Sequence, residues 1–201
     1  MGGGNSGLSH SMERRPEQKK QEEIYRAVKQ VAAQIKDEPV EWMIGFDKDT
    51  GEEIQGSRTT DNKRSSVTPD LALIHGQIAI HNHPRGWCFS GADCYCAIYL
   101  HELWAVTSGL VQRFKWNQGT SRASAYAFMR IADKKSEACN KKAIEKWDKL
   151  NPKPEFKSAQ DVNEYYERMN RETTLMAQRM YRTWFKNNAK RYGYTISFKR
   201  W

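Results

Sequence analysis

The segment Gln77 to Asp93, QIAIHNHPRGWCFSGAD, constrains the chain most, because it sets a strand, a loop and a helix start in a row and crowds metal-ligand residue types into them. Ile78, Ala79 and Ile80 form a short apolar run of strand character, and period-two alternation places His81 and His83 on one face with Asn82 on the other. Pro84 cannot continue a strand ladder, so the chain is expected to leave the strand there and return over its end as the loop Arg85 to Phe89. Ser90 to Asp93 (SGAD) then reads as a helix start, with Ser90 as cap and an acidic residue three places on, ahead of the apolar-rich Cys94 to Trp104. A carboxylate in that first turn can point back at both imidazoles. His81, His83 and Asp93 then make a set of two nitrogens and one oxygen, which leaves a fourth position for water, as in catalytic zinc sites. A lone His-x-His on a strand is commonly a pair of ordinary polar residues; the Pro and the Ser-x-x-Asp, in fixed order, favour the ligand reading.

The flanking segments supply what such a site rests on. Val40 to Asp47 reads as a strand with Trp42, Ile44 and Phe46 on one face and Glu41, Met43 and Gly45 on the other, followed by a turn at 47–51 and a second short strand, Glu52 to Gly56, in a hairpin. Arg58 to Thr68 is polar and turn-rich, a loop long enough to overhang a site. Pro69 to His75 reads as a short helix stopped by Gly76, and Leu103–Thr107 with Leu110–Trp116 as strands joined by Ser108-Gly109. His75, His10 and His101, the last placed two turns beyond Asp93 on the helix, have no partner at ligand spacing and are read as structural.

Around this core, of residues 39–116, the sequence divides into three further parts. Residues 1–12 are Gly- and Ser-rich and are expected to be a disordered tail without chemistry. Residues 13–38 hold an amphipathic helix from Pro16 to Lys36, with Ile24, Val28, Val31 and Ile35 as its apolar stripe. Residues 117–201 read as a basic helical extension: helices Ser121 to Lys149 and Ala159 to Arg191, then a short strand, Tyr194 to Lys199. Tyr165, Met169, Met176, Met180 and Trp184 are taken as the inward stripe of the second helix. The fold class is therefore α+β, a small mixed sheet flanked by helices with a helical extension.

Charge and composition bound the partners. Residues 117–201 carry 19 Lys and Arg against 9 Asp and Glu, whereas residues 1–116 carry 14 against 15, so an anionic partner, be it nucleic acid, an acidic protein or a membrane surface, is expected on the C-terminal half, with a solvated helical face as the alternative. Lys134, Lys135, Lys141 and Lys142 fall within it. No run of about eighteen apolar residues occurs and the start has no apolar h-region, which points to a protein without an export signal of its own. Cys88, Cys94, Cys96 and Cys139 are too few and too clustered for a disulfide framework, so a reducing, cytoplasmic setting is expected. The C-x-C of Cys94 and Cys96 is read as two half-buried residues facing different sides of a helix.

The order His81-Asn82-His83-Pro84, loop, Ser90-x-x-Asp93 resembles the JAMM signature of the JAB/MPN metallopeptidases, closest to the RadC-like and phage-type members that read His-Asn-His-Pro. One spacing departs from the family pattern: six residues separate His83 from Ser90, where seven are common. The resemblance implies a three-layer JAB/MPN-like core and a zinc ion held by His81, His83 and Asp93. It also implies that Ser90 stabilises an oxyanion, that a Glu at the head of an early strand is the general base, and that peptide or isopeptide bonds, including ubiquitin-like linkages, are the substrate class. Glu41 heads the strand that matches, with Glu38, Glu52 and Glu53 as rivals. A second implied reading is a RadC-like or phage-associated module that binds nucleic acid.

Overall fold

A computed structural model of the chain describes residues 15–64 and 66–201, so the Gly/Ser-rich segment 1–12 and His10 lie outside the described residues. The fold is α+β. Five strands, β1 (Met43–Phe46), β2 (Ile78–Asn82), β3 (Glu102–Val106), β4 (Leu110–Trp116) and β5 (Tyr194–Arg200), form one mixed sheet in that order. Neighbours are antiparallel except β2 and β3, which are parallel. A short helix, α2 (Leu71–Ile74), leads into β2, and the crossover that the parallel pair needs is supplied by α3 (Gly91–Cys96) running into a 3₁₀ turn, Ala97–Tyr99. The loop between β2 and α3 therefore emerges at the carboxyl end of a parallel strand, where sheets of this kind build their sites.

Strand alternation divides the interior in two. Ile44, Phe46, Ile78, Ile80 and Trp104 face one side, where α1 (Pro16–Ile35) buries Ile24, Val28, Ala32 and Ile35 against them. Met43, Ala79, Leu103, Ala105 and Phe114 face the other, covered by α3, α4 (Arg122–Leu150) and α5 (Ala159–Tyr192). With both faces covered, β2 and β3 are buried at every position, which is why IAI carries no polar alternation. Residues 117–201 join the same sheet and core: β5 pairs with β4 from Tyr194 to Arg200, and the Phe114 ring stacks 4.9 Å from Tyr194. Phe128 and Phe185 complete this aromatic cluster, whose ring pairs are each worth about 0.5–1.5 kcal/mol beyond the area they bury.

Several expectations shift. The helix after Ser90 is short: Glu102 already begins β3, Trp104 is a strand residue, and His101 lies in the preceding turn beside Lys115, with 3.2 Å from ring to ammonium. β-Branched and aromatic residues followed by a Ser-Gly turn outweigh the helical reading of that run. β1 begins at Met43, so Glu41 stands just ahead of it. Glu52–Gly56 is no strand; Phe46 and Glu53 make an isolated bridge, and a second joins Met43 to Thr59. On α5 the buried positions are Thr173, Ala177, Gln178, Tyr181 and Phe185, one place on from the stripe expected, with Met176, Met180 and Trp184 partly buried beside them. No helix among the described residues is long and apolar enough to cross a membrane.

The seat of α3 depends on a close approach. A Cβ on Gly91 would lie 2.4 Å from the Met129 carbonyl oxygen and 2.5 Å from Asp133 Oδ1, and the Gly91 amide donates to that same carboxylate at 2.9 Å. Gly91→Ala is expected to push α3 off α4 and destabilise the protein by about 1–3 kcal/mol, the cost of overpacking. Gly109→Ala, with nothing within 4 Å of the added carbon, is the control whose melting temperature should stay at the parent value.

Candidate metal centre

The site forms where β2 ends. The β1–β2 register pairs Met43 with His81, and continuing it sets Trp42 opposite Asn82 and Glu41 opposite His83. Asn82 makes that continuation specific. Its side chain is fully buried, accepts from the Trp42 amide at 2.7 Å, and donates to the carbonyls of Val40 (2.9 Å) and Glu38 (3.2 Å). From the other side the Glu41 amide donates to the Lys63 carbonyl at 2.7 Å, and the Thr60 hydroxyl donates to the Glu41 carbonyl at 2.6 Å. The segment carrying Glu41 is thus held at both edges although it is not a regular strand.

Three ligand-type groups converge beside it. His81 Nε2 and His83 Nε2 lie 2.7 Å apart, and Asp93 sets Oδ1 3.3 Å from the first and Oδ2 3.5 Å from the second. Among the described residues this is the one group of three His, Cys, Asp or Glu side chains whose ligand atoms lie within 4.8 Å of one another. His83 Nδ1 faces the Trp87 carbonyl at 2.9 Å, an acceptor, so Nδ1 carries a proton and Nε2 is the nitrogen turned to the cluster. Trp87 O is itself fixed by the buried Gln112 amide at 3.0 Å. Asp93 is aimed by Ser90: Oδ2 accepts from the Ser90 amide (2.6 Å) and hydroxyl (2.8 Å), while the hydroxyl oxygen accepts from the Asp93 amide at 3.1 Å.

Burial pushes the Asp93 carboxyl up, but the two imidazoles outweigh it and hold the group well below the usual carboxylate range. His83 moves the opposite way: burial disfavours its charged form, yet Asp93 beside it raises it above the ordinary imidazole value. Glu41, 8% exposed, is raised mainly by burial, with the histidines opposing. Two nitrogens and a carboxylate facing one point need a cation among them, a proton or a metal ion. The donor set fits a divalent metal of the zinc class, and the outer hydrogen bonds of His83 and Asp93 are those that orient metal ligands. His81 Nδ1 is buried without such a partner.

Glu41, His81, His83, Ser90 and Asp93 all line one cavity of about 550 Å³. Its further walls are Met43, Leu71, Tyr95 and Met129, with Arg64 and Val67 from the 58–68 loop and Arg85 from the β2–α3 loop. His75 packs near Tyr99 and, like His101, stays outside the cluster. Cys94 is buried in the core and Cys96 half-buried, the latter with its thiol pushed up to about 12 by burial. Asn82, Trp87 and Gln112 have no chemical signature in sequence. The one available signal is a polar residue at a buried strand position, which Gln112 and Asn82 both are.

No protein-family model, no curated protein and no solved structure matches the chain. The geometry makes its own prediction. Purified protein should bind one divalent ion per chain, and His81→Ala and His83→Ala should each abolish that stoichiometry by elemental analysis while circular dichroism stays helical. Equal metal content in parent and variants would remove the metal reading.

Proposed function

We propose that the protein is a zinc-dependent metallohydrolase of JAMM type, which cleaves a peptide or isopeptide bond. The observation that carries this reading is the convergence of His81, His83 and Asp93 on the wall of a cavity that also holds the buried carboxylate of Glu41. When bound, zinc supplies Lewis acidity and a water whose pKa falls from ~15.7 to about 7. Glu41, outside the three-ligand set, takes the proton released during attack on a carbonyl and returns it to the leaving amine. Its surroundings suit that work, since burial lifts its pKa from the ordinary carboxylate value and so makes it a stronger base. A cavity of about 550 Å³ is of the size that encloses a small ligand or a few peptide residues, and its apolar walls favour a substrate with an apolar side chain near the scissile bond. Four free thiols suit a reducing, cytoplasmic setting.

The role of Ser90 divides two ways. The family resemblance assigns its hydroxyl to the oxyanion, while its hydrogen bonds run to Asp93. Ser90→Ala decides between them: lower zinc affinity with kcat recovered by excess zinc marks an orienting group, whereas intact affinity with kcat reduced ~100-fold marks an oxyanion donor.

Base and ligand are separated by a pair of variants. Glu41→Gln should keep its zinc and lose ~100-fold to 10,000-fold in turnover, the usual range for a general base. Asp93→Asn replaces an anionic ligand by a weak neutral one, so zinc affinity should fall and added zinc should restore part of the activity. Loss of zinc from Glu41→Gln would make Glu41 a ligand; full activity would move the base to another carboxylate, with Glu38 the first to test.

A further inference from the structure

The positive charge of the C-terminal half is not spread evenly. From Arg168 to the end of the chain there are nine basic residues and one acidic residue, Glu172, which is paired with Arg168 at 3.1 Å. Arg171, Leu175, Arg179, Arg182, Lys186 and Lys190 follow one another at intervals of three or four, which is one ridge of α5. The ridge lies opposite Ala177, Tyr181 and Phe185, the positions by which α5 enters the core, and all its members are exposed except Arg182, which is half-buried. At 1.5 Å per residue the five cations span about 29 Å of a rigid helix. Among the described residues none of the five forms an ion pair. The outer face of α4 differs, since Glu137, Glu145 and Asp148 are interspersed with Lys134, Lys141, Lys142 and Lys149.

We propose that this ridge of α5 binds the phosphate backbone of a nucleic acid. A straight row of unpaired, single-sign charge meets its complement in a duplex, which carries a phosphate for each ~1.7 Å of axis. The ridge has no aromatic residue on which bases could stack, so recognition is of backbone and independent of sequence. A membrane surface is the poorer fit, because a helix that lies on lipid inserts an apolar face, and that face of α5 is already buried against α4 and the sheet. The helix that bears the ridge also packs near the loop between β2 and α3. Gln178, one residue from Arg179, lies 3.7 Å from the Cβ position of Gly86, and Arg182 is close enough to Cys88 to act on its thiol; both partners belong to the loop between β2 and α3. The inference does not rest on the hydrolase reading, since the charge row is there whatever the site does.

Fluorescence anisotropy of a labelled ~24-base-pair duplex of arbitrary sequence, titrated with the full-length protein, tests it. Five phosphate contacts give a slope of log K against log salt of about −4.5, hence a loss of several hundred-fold in affinity between ~50 and ~200 mM NaCl. Arg179→Gln with Lys186→Gln removes two contacts, so the slope should flatten to about −2.7 and the loss fall to about forty-fold. Lys134→Gln with Lys142→Gln on α4 should behave as the parent does. These are exposed helix positions where Gln is tolerated, and circular dichroism confirms that each variant is folded. The proposal is overturned if the parent fails to bind duplex at ~50 mM salt, or if the α5 variant keeps the parent slope. It is likewise overturned if poly-glutamate competes for the labelled probe as an equal ligand, or if vesicles rich in phosphatidylserine bind the protein and the duplex does not.

Discussion

Asn82 is buried between two histidines in sequence and points away from both, and its carboxamide makes three hydrogen bonds to the backbone of residues 38–42. Without them the segment ahead of Met43 would keep its bonds to Lys63 and Thr60 on one edge and only the 3.3 Å bond from the Asn82 amide to the Trp42 carbonyl on the other. With them the segment ahead of β1 stays in register past the end of the strand, and Glu41 comes opposite His83. Each of those groups would cost about 1–3 kcal/mol if left buried and unpaired, so the clamp is strongly specified. A two-residue period thus separates two tasks along three consecutive residues: the outer two offer nitrogen to the cavity, and the middle one fixes the carboxylate beside them.

The second half of the site is fixed by the seat of α3. Asp93 reaches back to the histidines because Ser90 caps the helix and binds both ends of the aspartate, and the helix holds its position because Gly91 lets it touch α4. Trp116 adds a further tie, its indole N–H donating to the Cys94 carbonyl at 2.8 Å. α4 in turn rests on α5 through Tyr181, whose hydroxyl donates to the Ala132 carbonyl at 3.0 Å. The basic C-terminal helices are therefore the support on which Asp93 is placed, as well as a charged surface.

Much of this arrangement was legible in the sequence, and the reasons for the misses are physical. The alternation of residues 78–83, the proline and the cap are local signals, so β2, the loop and the start of α3 could be read directly, together with the residues that converge. The sheet partners β1, β3, β4 and β5 also follow from alternation and turn residues. The length of α3 could not be read, because Cys94 to Trp104 is apolar except at His101 and Glu102, and a buried strand and a buried helix look alike over so short a run. The α5 stripe was set one residue early because a helix buried against both α4 and the sheet hides a broad arc, with Met176 and Met180 at its margin and Ala177 and Tyr181 at its centre. Trp87 acts through its carbonyl, and no sequence pattern marks a backbone acceptor.

In the proposed site two imidazoles and one carboxylate, and not the nearby thiols, hold the metal. Cys88 lines the same cavity and Cys94 and Cys96 flank Asp93, so the competing donor set is close at hand. Burial raises all three thiols above their usual range, which disfavours the thiolate that zinc would need. X-ray absorption at the zinc edge of the metal-loaded protein distinguishes the two directly. A shell of nitrogen and oxygen at about 2.0–2.2 Å is expected, with the imidazole signature of two histidines and no sulfur. A sulfur shell at about 2.3 Å, or a protein that retains no metal at all, would contradict it.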